Sequence, residues 1–219
     1  MWDFIKENYR SFLEALYFLS GIGMLGTVII GLRQLSILKQ DVDLKNKRAA
    51  VEKSIEYMNW FASDLLPQAK EYRQGWADLQ PKVKKYKYNV RKDFSLTEEE
   101  MKDKQVHMHL SIDLKCGGQE IINQLEYVGA AFISGIADEE LAFTSLASIY
   151  CETIEELYLL ISFCRTNGSE NLYSNTIKLY EMWKDRLKKS ELENKIEKMN
   201  QEMSEIKEQK VKPMGYDIK

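Results

Sequence analysis

The sequence predicts an all-α protein: a single N-terminal transmembrane helix, then a cytoplasmic helical bundle with a long C-terminal helix. Three observations predict it. One stretch near the N-terminus is apolar and free of charge for 18 residues, and only 3 prolines and 11 glycines occur in 219 residues. Beyond that stretch, apolar residues recur at the three- and four-residue spacings of helix faces. So few breakers over so long a chain favour long helices over many short strands. A net charge of -3 argues against a protein that coats nucleic acid, so nucleic acid is not an expected partner. The three cysteines, Cys116, Cys151 and Cys164, form an odd set without metal-type spacing. They read as reduced cytosolic thiols acting as small hydrophobes.

The membrane segment comes first. Residues 1–14 form an external tail that mixes signs of charge. From Ala15 to Leu32 the chain reads ALYFLSGIGMLGTVIIGL, 18 residues without a charged side chain. As a helix this is about 27 Å long, close to the roughly 30 Å hydrocarbon core of a bilayer. Trp2, Phe4, Phe12 and Tyr17 supply aromatic character toward its N-terminal interface. A signal peptide would have a basic start and a cleavage site before a polar mature end, neither of which is present. A buried core helix of this length rarely lacks charge all round. Lys6 and Arg10 precede the span, whereas Arg33, Lys39, Lys45, Lys47 and Arg48 follow it. That asymmetry predicts an N-terminus outside and a C-terminal body in the cytoplasm. Gly23, Thr27 and Gly31, at i, i+4 and i+8, form a small-residue stripe suited to close packing of spans.

No break separates the span from the stalk, residues 33–66. There Ile37, Leu44, Val51 and Met58 recur at sevens, which suits either a coiled coil or packing against the body. Pro67 is expected to stop this helix. The cytoplasmic body spans 67–190. A helix over 68–79 places Tyr72, Trp76 and Leu79 on one side, and Pro81 ends it. Ser95 or Thr97, each three residues ahead of a glutamate, should cap a helix running to about Lys115. The clearest helix, Gln119 to Ser134, gathers Ile121, Ile122, Leu125, Val128, Phe132 and Ile133 on one arc. Asp138 caps a further helix expected to run unbroken to about Arg165, whose ELYLLISFC stretch reads as the central buried segment. The last helix starts near Leu172. Within its 191–210 part, Leu192, Ile196, Met199, Met203 and Ile206 step by 4, 3, 4 and 3, a short coiled-coil seam. That seam pairs between chains or folds back on its own body. Pro213 and Gly215 end the helix, leaving a frayed tail over 211–219.

The run IINQLEYVGAAFISGIADEEL, with Asn123 and Glu126 three apart and Gly135 before Asp138 and Glu139, resembles a family of bacterial and phage-borne proteins. So does LYEMWKDR, with Tyr180 and Trp183. The family is known by its domain of unknown function 4760. The resemblance implies an N-terminal membrane helix followed by a helical domain. It implies no activity and no catalytic residue, and its phage association suggests a phage-host or defence setting.

Candidate chemistry is sparse. His109, Asp113 and Cys116, at i, i+4 and i+7, would share one helix face with metal-capable atoms, and they are weak metal-ligand candidates beside a plain surface helix. Asn123 and Glu126 suit a polar contact with another helix. Lys82, Lys84, Lys85, Lys87, Arg91 and Lys92, interleaved with Tyr86, Tyr88 and Phe94, suit anionic lipid headgroups, single-stranded nucleic acid, or a solvated loop. No phosphate loop, nucleophile elbow or zinc-protease helix occurs. The expected function is therefore a non-enzymatic, membrane-anchored interaction or effector protein without a cofactor. Its expected partners are the bilayer, copies of itself and an unknown protein. An oligomeric pore and a metal-dependent enzyme are the alternatives.

Overall fold

The computed structural model describes residues 2–79 and 86–205. Lys82, Lys84, Lys85, Pro81, Ile206, Pro213 and Gly215 lie outside the described residues. Every described element is helical, as the composition requires, and no strand occurs among them. The chain divides into two units, Met1–Ala50 and Val51–Lys219.

The first unit lies within helix α1, Trp2–Trp60. The helical run Asn8–Leu79 contains a window of mean hydropathy 1.9, none of it buried, and is long and apolar enough to cross a membrane. Its large side chains lie open, from Phe12 and Tyr17 through Ile22, Leu25 and Ile29 to Leu32. The span also satisfies its own polar groups. The Ser20 hydroxyl donates to the Tyr17 carbonyl and the Thr27 hydroxyl to the Met24 carbonyl, each at 2.7 Å. A helix that closes its backbone bonds and the hydroxyls of Ser20 and Thr27 internally suits hydrocarbon.

The second unit begins with the last turns of α1, where Tyr57, Met58 and Trp60 pack against the core. Here Ser54, fully buried, donates to the carbonyl of Asp138 at 2.8 Å. Pro67 does not stop the chain, contrary to the sequence expectation. A π-helical turn, Phe61–Leu65, precedes α2, Leu66–Leu79, and Leu66 N–H reaches back to the Phe61 carbonyl. The proline thus falls in the first turn of α2. The widened turn before it accommodates the ring and the missing donor that would break a regular helix. Ala69, Tyr72 and Trp76 form the buried face of α2.

Thr97 rather than Ser95 makes the cap, in a full capping box with Glu100 ahead of α3, Glu98–Lys102. The expected single helix to Lys115 is broken at Asp103. Its extended backbone ends α3, and its carboxylate accepts from Gln105 N–H at 2.7 Å to start α4, Lys104–Lys115. Helix α5, Gly118–Ile133, buries the predicted arc of Ile121, Ile122, Leu125, Val128 and Phe132. Asp138 caps α6, Glu139–Glu156, by accepting from Leu141 N–H at 3.2 Å. The expected run to Arg165 is instead two helices, because Leu157 (φ -95°, ψ 10°) leaves helical geometry before α7, Tyr158–Asn167. That offset lets Leu157, Tyr158, Leu159, Leu160 and Ile161 all be buried, which one straight helix face could not do. Helix α8, Ser174–Glu205, packs on α5 and α6. The core centres on Trp183, Tyr150, Tyr158, Phe61 and Phe94, all essentially inaccessible. Each such side chain stabilises the body by about 1.5–3 kcal/mol through apolar burial.

Candidate functional site

Several polar residues inside the body join one helix to another. On α4, the Asp113 carboxylate is fully buried and accepts from the Tyr72 hydroxyl at 2.6 Å and the Trp76 indole N–H at 2.9 Å. His109, one turn earlier, lies 3.6 Å from the same oxygen, with its ring 4.4 Å from that of Trp76. Burial, reinforced by the Asp113 carboxylate, raises the Tyr72 hydroxyl far above its ordinary range, so it donates and does not ionise. The spacing of His109 and Asp113 on one helix face was legible in the sequence. Their partners on α2 were not, although Tyr72 and Trp76 also stand four apart.

Cys116 departs from the predicted trio. It is the C-cap of α4, and its Sγ would lie 2.7 Å from a Cβ placed on Gly75. Among the described residues no three His, Cys, Asp or Glu side chains come together as metal ligands. The thiols share an unreactive setting. Burial pushes Cys116, Cys151 and Cys164 above the usual thiol range, Cys151 to about 12.

The described part of the basic run is a strap across the core. Tyr88 stacks on Tyr158 at 5.3 Å, and its hydroxyl donates to the Glu155 and Glu156 carbonyls at 2.8 and 3.1 Å. Phe94, fully buried between Tyr158 and Tyr180, holds a left-handed backbone (φ 46°). The Phe94 ring therefore fills the interior, and the half-buried Tyr88 ring packs against it from the edge of the core. Arg91 donates to Glu100 and to the Ser95 carbonyl, both at 2.5 Å, whereas Lys87 and Lys92 are exposed.

The base of α8 is the most heavily bonded junction. The Glu126 carboxylate of α5 accepts from Asn175 N–H and side-chain amide at 3.3 and 2.8 Å, and from Thr176 N–H and hydroxyl at 2.9 and 2.8 Å. A negative group on the unsatisfied N–H groups of a helix start is favoured by both hydrogen bonding and the helix dipole. Asn123 accepts from Tyr173 at 3.3 Å beside it. Gly129 lies one turn along α5, where a Cβ would stand 2.8 Å from backbone atoms of Asn175 and Thr176. Further along α8, Glu139 accepts the Trp183 indole N–H and pairs with Arg186 at 2.8 Å, and that guanidinium covers the Phe143 ring at 3.8 Å. The sequence pointed to Glu126 as a polar helix contact. It concealed Gly129 and Glu139, whose roles depend on which helices become neighbours.

Beyond this junction α8 leaves the body. Leu187 is the last side chain that packs against the core, and from Lys188 to Ser204 every residue is exposed. Leu192, Ile196, Met199 and Met203 are 50, 58, 61 and 61% accessible. The seam is thus not folded back on its own body. In the first unit, Gly23, Thr27 and Gly31 fall on one helix with nothing within 4 Å of a Cβ placed on either glycine.

No curated protein and no solved structure matches the chain. A family match covers residues 22–183, from within the apolar segment to the last fully buried tryptophan. That stretch takes in the Asp113, Glu126 and Glu139 junctions and stops before the exposed part of α8. With most of its length matched, the chain belongs to the family described as Domain of unknown function (DUF4760).

Proposed function

We propose that the chain is a membrane-anchored, non-enzymatic helical interaction protein that self-associates, with its N-terminus outside and its body at the inner face of a bacterial inner membrane. The observation that carries this reading is the exposed apolar seam of α8, from Leu192 to Met203. Apolar side chains recurring on one face of an exposed helix lose their contact with water only against a partner, which is what a self-associating seam supplies. The carboxylates between helices favour a binding role over catalysis, because the buried Asp113 and the half-buried Glu126 and Glu139 are occupied by donors that join helices. The family's phage association suggests a phage-host or defence setting.

The orientation has a direct test. A reporter fused after Lys219 should be active only on the cytoplasmic side, given the cluster from Arg33 to Arg48; activity only outside would reverse the topology. Self-association is read from the mass of the detergent-solubilised full chain, which should exceed that of a monomer. Gly23→Ile with Gly31→Ile should obstruct close span packing, and Ile196→Asp with Met203→Asp should break the seam. Combining all four should shift mass toward monomer more than either pair, since tethered weak contacts reinforce one another. Ile196→Asp should leave the near-ultraviolet signature of the body's tertiary packing unchanged, because that side chain is more than half exposed and does not touch the core. A monomeric wild type would end this reading.

A further inference from the structure

The stalk part of α1 carries an apolar face that neither the described chain nor the bilayer covers. Leu35, Leu38 and Val42 step by 3 and 4, and the same line runs back into the span through Gly31, Val28 and Met24. Leu35, Leu38 and Val42 are 63, 60 and 49% accessible. At about 1.5 Å per residue, Leu38 lies about 9 Å and Val42 about 15 Å beyond Leu32 along the helix. The headgroup layer adds only about 5–8 Å to each side of the hydrocarbon, so both side chains stand in water. We infer that this face docks on the same face of a second copy of the chain, as a parallel, unstaggered pair of stalks that continues the packed spans. The inference rests on the membrane span and self-association proposed above and adds the surface that meets.

Three observations point to a second copy. The first is insertion itself. All copies cross the bilayer in one direction, so two stalks leave it parallel, with each residue level with its counterpart. An apolar ladder spaced by 3 and 4 then meets an identical ladder, which is the packing of a parallel coil. The second is continuity with the span. Nothing lies within 4 Å of a Cβ placed on Gly31, and a glycine on this line lets two backbones approach closely in lipid.

The flanks supply the third observation. With Leu35 and Val42 at position a and Leu38 at d, Gln34 and Asp41 occupy g, and Lys39 and Asn46 occupy e. All are exposed. A parallel pair sets each g residue beside the e residue five positions later on the partner, so Gln34 meets Lys39 and Asp41 meets Asn46. No like charges are opposed. Lys45, the next core position, would face its own counterpart, and its ammonium lies 3.5 Å from Asp41 of its own chain. The docked stretch therefore ends at Val42. Another side of the stalk offers Ile37 and Leu44, but the core positions that would alternate with them are Gln40 and Lys47, or Asp41 and Arg48. Every second layer there is polar. Met58, on the same line of sevens, packs against the core of the body.

Cysteine cross-linking of the full chain in membranes tests this. Under mild oxidation, Leu35→Cys and Leu38→Cys should each give a disulfide-linked homodimer at ten-fold or more the yield of Ile37→Cys or Leu44→Cys. The unsubstituted chain controls for the native thiols. Leu35→Cys co-expressed with a size-tagged Val42→Cys should give no band of mixed size, because the two levels stand about 10 Å apart. Leu38→Glu with Val42→Glu should shift the detergent-solubilised mass toward monomer, whereas Ile37→Glu with Leu44→Glu should leave it unchanged. Equal or higher yield at Ile37 and Leu44, a dominant mixed-size band, or an oligomeric mass without a cross-link at Leu35 and Leu38 overturns this face and leaves self-association standing. A monomeric mass without cross-links overturns both.

Discussion

Trp183→Ala is expected to destabilise the body by about 3–5 kcal/mol, the range for deleting a fully buried aromatic side chain. The indole is inaccessible and lies where α5, α6 and α8 meet, with ring centroids 5.8 Å from Phe132, 6.2 Å from Phe143 and 5.0 Å from Tyr150. Truncation would leave a cavity walled by aromatic rings that cannot collapse inward without moving three helices. It would also remove a hydrogen bond to Glu139, although Arg186 still neutralises that carboxylate. Trp183→Phe separates the two contributions. It keeps much of the volume and loses the N–H, so the hydrogen-bond part should appear as about 1 kcal/mol with a smaller packing loss. Near-ultraviolet circular dichroism of the detergent-solubilised chain across a urea titration reads the tertiary packing, where far-ultraviolet signal would mix the body with the long α1. A Trp183→Ala midpoint within experimental error of wild type would contradict the assigned role of this residue in the core.

The helical class, the membrane-competent segment and the α5 arc were legible because each is a local or periodic property. Charge-free length marks the span, and Ile121, Ile122, Leu125 and Val128 announce a face whatever they pack on. Capping was half legible: the glutamate three residues on was present for both Ser95 and Thr97, and only the backbone decided for Thr97. The breaks were hidden for physical reasons. Asp103 and Leu157 are not breaker residues, and their non-helical backbones let the flanking helices turn toward the core. Pro67 misled in the other direction, since a π-turn absorbs it. For the candidate surfaces, the α8 seam was visible as a heptad. Whether it faced its own body or solvent depended on where the body ended, and no local pattern near Leu187 encodes that. The tyrosines of the basic run show the same limit. Alternation of cations and rings looks alike on a solvated binding strap and on one pressed against a core, and Tyr88 proves to be of the second kind.

The second large effect is expected at the base of α8, where Gly129→Ala should destabilise the body despite replacing a helical glycine. In an exposed helix that change gains about 1 kcal/mol, since alanine has the higher propensity. Here the new Cβ would stand 2.8 Å from the Asn175 carbonyl carbon and the Thr176 nitrogen, and 2.9 Å from the Asn175 oxygen. These are backbone atoms, so relief requires α8 to back away from α5. Overpacking of this kind costs about 1–3 kcal/mol or more, enough to outweigh the propensity gain. Movement of α8 would also stretch the four bonds to Glu126, one turn away. Glu126→Ala should therefore cost about 2 kcal/mol by stranding the donors of Asn175 and Thr176, as loss of a strong helix cap does. Glu126→Gln, which keeps one acceptor oxygen but loses the charge, should fall between. Because both residues act on one junction, the double variant Gly129→Ala with Glu126→Ala should cost less than the sum of the two. Hydrogen exchange should rise first at the amides of residues 174–180, where α8 starts, and not in the Ile121 to Val128 arc. Protection at 174–180 unchanged in Gly129→Ala would mean that the helix start absorbs a methyl group without moving. The same variant connects the junction to the seam. If α8 is held to the body only up to Leu187 and pairs between copies beyond it, loosening its base should lower thermal stability while the mass of the detergent-solubilised chain stays above that of a monomer.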